Sequence, residues 1–410
     1  MTTTRRGFLA AGAAAPFVWA ASKTDSQNKI LGEGEHQYEC IHDWGELPST
    51  IKYGNTHSVC EDSQGHIYIH HTVHATSASP DSVVVFDNKG KFVRSFGPMF
   101  RGGAHGMHLS KEGKTEYLYF CDEKHGIITK RTLKGEEIWT MGYPQDSPIY
   151  QKGPGASGPG GAAGLNYRPT NFAIAPNMDF WVGDGYGSYY MFHYSQASSS
   201  AYPKLMKTFG GPPAGQAQGG GRGGAGGGRG PGAGGPGAGG AAAAGRGPGG
   251  GGGRGPANPP PVGQAGVPRN VPIESMNNPH GNMVDLRDPA NPILLVADRG
   301  NNRIVRYKLD DTPIDVVAGT KSPCHFHTYK DTIVVPDLQA RVTLLDKDNK
   351  IILHLGEPTV PNPPRTTENR GDFVAGQFVQ PHGAIFDHTG NIFVAEWVEI
   401  GRVTKLRKVS

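Results

Sequence analysis

Beyond residue 35 the chain carries short apolar runs separated by polar turns, and no stretch keeps the 3.6-residue apolar period of a helix. Six runs stand out: Ile67-Tyr-Ile69, Tyr117-Leu-Tyr119, Phe180-Trp-Val182, Leu294-Leu-Val296, Ile333-Val-Val335 and Ile392-Phe-Val394. They are aliphatic or aromatic throughout, without the alternation of a half-exposed strand, so both faces of each are expected to be buried, as when sheets pack radially. Around each run lies the same unit: a polar turn, a first apolar strand, a Gly/Asn/Asp turn, the run itself ending in an acid, and a third strand. The last copy shows it most clearly, from His382 to Glu396 and on through Arg402-Val-Thr-Lys-Leu406, and its counterpart runs from His280 to Asp298 and on through Arg303-Ile-Val-Arg-Tyr307. Other units open near His57, His105, Thr170 and Pro323. Six units of about 45 residues predict an all-β, six-bladed propeller over residues 36–410. The last unit stops after its third strand, and Tyr38–Trp44 reads as a free strand that would complete it and close the ring.

Composition adds an interruption. Of the 62 glycines and 33 prolines, many fall in residues 211–266, a Gly/Ala/Pro/Arg/Gln tract that cannot bury enough apolar surface to offset the entropy of ordering it and reads as a disordered insertion. A smaller Gly/Pro loop covers 153–164. The formal charge of +4 comes partly from arginines in the tract and from Arg5-Arg6, and no basic stripe interleaved with aromatics is present, which argues against nucleic acid as a partner. Arg5-Arg6 before the mild apolar run Ala10–Ala21 reads as a Tat-type signal peptide over residues 1–21. That run is too short to cross a bilayer, which takes ~20 apolar residues. A periplasmic or extracellular protein without a membrane span, and a monomer, is expected. The four cysteines, Cys40, Cys60, Cys121 and Cys324, show no CxxC spacing, so a thiolate zinc site is not expected; an oxidising compartment would permit one or two disulfides, whose pairing the sequence does not give.

The chemistry sits at the unit openings. Where the first strand crosses the ring and the second returns, the opening residues and those just after the second strand share one face. Three openings carry a histidine before glycine: Ala104-His105-Gly106, Pro279-His280-Gly281 and Pro381-His382-Gly383. They belong to units two, four and six, so the imidazoles come from directions about 120° apart around a six-bladed ring. Three neutral imidazoles suit zinc, copper, iron or nickel and leave positions open for substrate. The same face receives Asp184-Gly185-Tyr186-Gly187 from unit three and Ala297-Asp298-Arg299-Gly300 from unit four. Tyr186 is a candidate proton-transfer group if a cation lowers its pKa, and Arg299 a candidate carboxylate clamp. Asp298 is expected to brace its own turn. His57 opens unit one, and of the adjacent His70 and His71 only one can face the axis; His57 and His71 are additional candidates. His325 and His327 are weaker ones.

With these residues placed, the chain resembles NHL-repeat propellers and, more narrowly, the peptidyl-α-hydroxyglycine α-amidating lyase family, over essentially all six units from Gly54 to Leu406. The resemblance implies a catalytic zinc on His105, His280 and His382, a catalytic tyrosine at Tyr186 and an active-site arginine at Arg299. It also implies a structural calcium on the channel axis. The chain departs from that family at Thr72, where the family has a substrate-binding arginine, at Gln380, where it has methionine, and at Gly383, where it has the aspartate associated with the calcium. The expectation is an exported zinc-dependent lyase that cleaves the C–N bond of a carbinolamide-type substrate, whether peptide or small molecule. Two other readings stand beside it: a metal-dependent lyase or hydrolase for a sugar or other small molecule, and a non-catalytic exported binding propeller.

Overall fold

In the computed structural model the described residues are 29–150, 167–213 and 270–409. The expected signal peptide (1–21), the loop 153–164 and residues 214–266 of the Gly-rich tract lie outside them.

Two N-terminal strands, β1 (Ile30–Leu31) and β2 (Tyr38–Ile41), precede the ring. Blade one is β3 (Thr56–Glu61), β4 (Ile67–His71), β5 (Val83–Phe86) and β6 (Phe92–Phe96). Blade two is β7 (Ala104–Glu112), β8 (Thr115–Asp122), β9 (Ile127–Thr132) and β10 (Glu137–Met141). Blade three is β11 (Phe172–Ile174), β12 (Phe180–Gly183), β13 (Tyr190–Ser195) and β14 (Lys204–Gly210). Blade four is β15 (Pro279–Asp285), β16 (Ile293–Asp298), β17 (Arg303–Lys308) and β18 (Pro313–Val317). Blade five is β19 (His327–Tyr329), β20 (Thr332–Asp337), β21 (Arg341–Leu345) and β22 (Ile351–Leu355). Blade six holds β23 (Pro381–Phe386), β24 (Ile392–Glu396) and β25 (Arg402–Lys408).

Each blade is an antiparallel meander, and the protein is a six-bladed β-propeller. In blade six β2 pairs with β25, Cys40 opposite Leu406, and β1 adds a fifth strand outside it. Closure by the N-terminal strand is therefore as the sequence predicts, with β1 as an addition. Among the described residues there is no α-helix, and no helix long and apolar enough to cross a membrane.

The apolar runs are explained by where their alternate residues go. In β24, Ile392 and Val394 pack toward blade five while Phe393 packs toward blade one. In β16, Leu294 and Val296 face blade three, and Leu295 and Ala297 face blade five. A strand between two neighbours has no solvent face, so it has no polar alternation. The result is six apolar clusters, one in each gap between blades, instead of a single core.

The acids ending the second strands fix the turns above them. In blades four, five and six the acid pairs with an arginine opening the third strand: Asp298 with Arg303 at 2.7 Å, Asp337 with Arg341 at 2.9 Å, Glu396 with Arg402 at 2.5 Å, all buried. Asp122 of blade two takes His125 instead, at 2.6 Å.

All four cysteines are free and buried, so none of the disulfides that an oxidising compartment would permit is formed. Cys40, Cys60 and Cys121 are filler in three different interblade clusters. The packing that makes them interior separates them from one another.

Candidate metal centre

At the openings of blades two, four and six the pairing of first and second strands is interrupted between Ala104 and Met107, Pro279 and Asn282, and Pro381 and Gly383. Each histidine lies in that irregularity, which turns its side chain out of the sheet and toward the axis. The three rings meet there, with centroids 4.8 Å apart for His105 and His280, 4.9 Å for His105 and His382, and 4.7 Å for His280 and His382.

Each ring is held from behind by the next blade. Nδ1–H of His105 donates to the Thr170 carbonyl at 2.7 Å, that of His280 to Cys324 at 2.8 Å, and that of His382 to His57 at 3.0 Å. The acceptor is in every case the opening residue of the following odd blade. A proton fixed on Nδ1 leaves Nε2 as a lone pair pointing inward, the tautomer a metal ligand needs. The glycine after each histidine lets that carbonyl approach. A Cβ at Gly106 would lie 2.3 Å from the Thr170 oxygen, at Gly281 2.5 Å from that of Cys324, and at Gly383 2.5 Å from that of His57.

Tyr186 enters between His105 and His280, its hydroxyl 3.2 Å and 3.1 Å from their Nε2 atoms. Its turn is locked by the buried Asp184 carboxylate, which accepts from Ser188 N, Ser188 Oγ and the Tyr150 hydroxyl at 2.7, 2.6 and 2.5 Å. Asp184 also accepts from the Arg168 backbone at 2.8 Å. Arg299 Nη2 donates to the Tyr186 hydroxyl at 3.1 Å, and its Nη1 approaches Cys324 Sγ at 3.9 Å. Asp298 braces the turn before it, accepting from Asn277, Asn301 and Arg303.

The hydrogen-bond count at the centre does not close. Three Nε2 lone pairs converge, and the one proton offered to them is that of Tyr186, which can serve His105 or His280 but not both. His382 Nε2 is buried with no partner. Unpaired acceptors at this density are what a cation satisfies. Burial pushes His105 down to about 3 and His280 and His382 well below the usual histidine range, with Arg299 adding to the shift, so all three are neutral donors. Burial raises the Tyr186 hydroxyl, with Arg299 the main opposing influence, and pushes the Cys324 thiol up to about 11.

His57 joins the cluster, its ring 5.0 Å from His105 and 4.6 Å from His382. Donor atoms lying within 4.8 Å of one another form two sets, His57/His105/His382 and His280/Cys324/His382. Neither set contains a carboxylate, and a Cβ at Gly383 would strike the His57 carbonyl. The calcium that the resemblance implied therefore finds no oxygen cage among these groups. His71 is not brought to the cluster. Its Nδ1 accepts from Val73 N at 3.1 Å and its ring packs edge-on to Tyr53, while His70 packs between Phe100 and Phe120. His325 and His327 are tied to blade six, through the Ala384 carbonyl and the Phe386 amide.

Arg168 was not singled out by the sequence. It lies 5.1 Å over the Tyr186 ring, with Arg299 5.2 Å away on the same ring, and it is neutralised by Glu123. Glu123 follows the second-strand acid of blade two as Arg299 follows that of blade four, so the unit pattern could have marked it. Arg168 precedes the first strand of its blade, outside the repeat.

No protein-family model and no curated protein matches the sequence. Solved structures of similar fold include a streptogramin B lyase (11% identity, TM-score 0.48, 92% of this chain and 99% of that one). Virginiamycin B lyase from Staphylococcus aureus is similar to the same degree (11%, 0.48, 91% and 100%), and a gluconolactonase from Xanthomonas campestris nearly so (10%, 0.46, 90% and 89%).

Proposed function

We propose that this propeller is a metal-dependent lyase that cleaves the C–N bond of a carbinolamide-type substrate, with His105, His280 and His382 holding the metal. The observation that carries the reading is that three inward Nε2 atoms, fixed by three backbone carbonyls, have one Tyr186 proton between two of them and leave His382 without a partner. A divalent ion such as zinc would supply Lewis acidity toward a substrate oxygen.

The chain's residues divide the rest. Tyr186 takes the proton of the substrate hydroxyl; Arg299, donating to the same phenolic oxygen, works against the burial that raises this hydroxyl, and a bound cation would act in the same direction as Arg299. As the hydroxyl becomes a carbonyl, the C–N electron pair passes to nitrogen, which regains the proton from Tyr186. An N-acyl-α-hydroxyglycine would give the primary amide and glyoxylate, with no oxidant consumed. Arg168 and Arg299 flank the Tyr186 ring, and Arg299, having no carboxylate partner among the described residues, also suits an anionic substrate group. The Arg5-Arg6 start and the apolar run after it support export to the periplasm or beyond.

Metal analysis of untagged protein, followed by glyoxylate release from an α-hydroxyglycine peptide, tests the reading. About one metal per chain and turnover are expected. Tyr186→Phe is expected to keep the metal and lose roughly 10²–10⁴-fold in kcat. Less than about 0.3 metal per chain, unchanged in His280→Ala, would remove the enzyme proposal. Bound metal without glyoxylate release would move the activity to another small-molecule substrate.

A further inference from the structure

His382 belongs to both donor sets on the axis, and charge distinguishes the two. In His57/His105/His382 every donor is a neutral imidazole. Arg299, its guanidinium on Tyr186 and Cys324, is paired with no carboxylate among the described residues. A divalent cation on imidazoles alone would add two positive charges beside that guanidinium, with no counter-charge.

The acids around the face are already committed. Asp184 is taken by Tyr150, Ser188 and the Arg168 amide, Asp298 by Arg303, Glu396 by Arg402, and Glu123 by Arg168. Within the donor sets, the atom that can carry negative charge is Cys324 Sγ. Its counterparts in the other odd blades cannot do this: the Thr170 hydroxyl donates to the Gly183 and Pro279 carbonyls, and His57 is an imidazole. Cys324 is buried, and its own carbonyl orients His280. His382 Nε2, 96% buried from a relative exposure of 4%, points at the same place without a partner.

Resting on the metal reading above, we propose that Cys324 is itself a ligand, its thiolate joining His280 and His382 on one side of the ion, with His105 completing the set and Tyr186 on the side open to substrate. Sulfur and nitrogen donors on one tetrahedral ion at about 2.0–2.3 Å lie roughly 3.3–3.7 Å apart. The donor atoms here lie within 4.8 Å of one another, so an ion would have to draw them inward by up to about an ångström. A thiolate in the set biases the site toward zinc and other thiophilic ions and away from manganese or calcium.

Full-length protein stripped with a chelator and titrated with cobalt(II) tests this, because a cobalt–thiolate bond gives a sulfur-to-metal charge-transfer absorption in the near ultraviolet that an all-imidazole site lacks. The wild type is expected to show the band. Cys324→Ser is expected to lose it and to bind cobalt at least about tenfold more weakly. X-ray absorption of the zinc-loaded wild type, which needs no variant, is expected to show sulfur at about 2.3 Å. Cobalt bound without the band, or a band that survives in Cys324→Ser, overturns the thiolate ligand and leaves the metal reading intact. No cobalt uptake by the wild type overturns both.

Discussion

Gly106, Gly281 and Gly383 are as much a part of the centre as the histidines before them, because each admits the carbonyl that fixes a ring. Gly281→Ala would place a methyl 2.5 Å from the Cys324 oxygen. Overpacking against backbone costs about 1–3 kcal/mol, and here it also displaces the acceptor of His280 Nδ1. The variant is expected to lose stability by that amount in urea unfolding and to bind zinc more weakly. Gly142→Ala, with no heavy atom within 4 Å of its added Cβ, is expected to change neither. Equal behaviour of the two would mean that the carbonyl contact does not position the ring. At this scale the sequence showed the histidine turns, Tyr186 and Arg299, because repetition gives each a known place on the ring. It did not show Arg168, which lies outside the repeat and is placed by Asp184. Nor did it show His71 turned under Tyr53, since both faces of β4 are interior and alternation cannot choose between them.

The strand pattern was legible for a physical reason: a second strand buried on both sides must be apolar at every position, and the acid at its end must find a partner. Blade five shows where this fails. Its unit opens at Pro323, yet β19 begins only at His327, and Pro323 makes an isolated bridge to Asp337. Strand β1 was missed because two residues carry no period. The repeated acid–arginine pair gives a test of what holds the turns of the face that carries the histidines. In blade six Arg402 donates twice to Glu396 and once to the Gln377 carbonyl, all of it buried. Removing one member leaves a buried charge, which costs about 3–5 kcal/mol. Arg402→Ala is therefore expected to be less stable by that amount in denaturant unfolding, whereas Arg306→Ala, whose pair with Asp315 is partly exposed, is expected to lose about 1 kcal/mol or less. A small effect at Arg402 would show that water reaches Glu396.

A ring has no free edge only while its last blade is completed, and here that depends on β2 lying along β25. A chain beginning at residue 45 would expose the edge of β25 and the apolar groups that Tyr38 and Cys40 cover, and is expected to aggregate or to unfold several degrees lower. The second property of the whole molecule is its store of uncharged imidazoles. Burial pushes His42 down to about 2 and His70 and His71 to about 3, with Arg402 adding to the first and His71 to the second. In the unfolded chain the same groups titrate near 6.5. Below that pH the unfolded state takes up protons that the folded state refuses, so stability falls as the solution is acidified, and above about pH 7 the effect vanishes. Each such histidine accounts for about 1.4 kcal/mol lost at pH 5.5, and these three for about 4 kcal/mol, a large part of a typical 5–15 kcal/mol. Asp184, Asp298 and Asp337, whose carboxyls burial raises, act in the opposite sense, so the histidine contribution is best isolated by substitution. His70 packs between Phe100 and Phe120, and phenylalanine suits that place. In urea unfolding with chelator present, the wild type is expected to lose stability between pH 7.5 and 5.5, and His70→Phe to lose about 1.4 kcal/mol less over the same interval. Identical pH dependence in the two proteins would mean that His70 is already protonated, and therefore hydrated, within the folded ring.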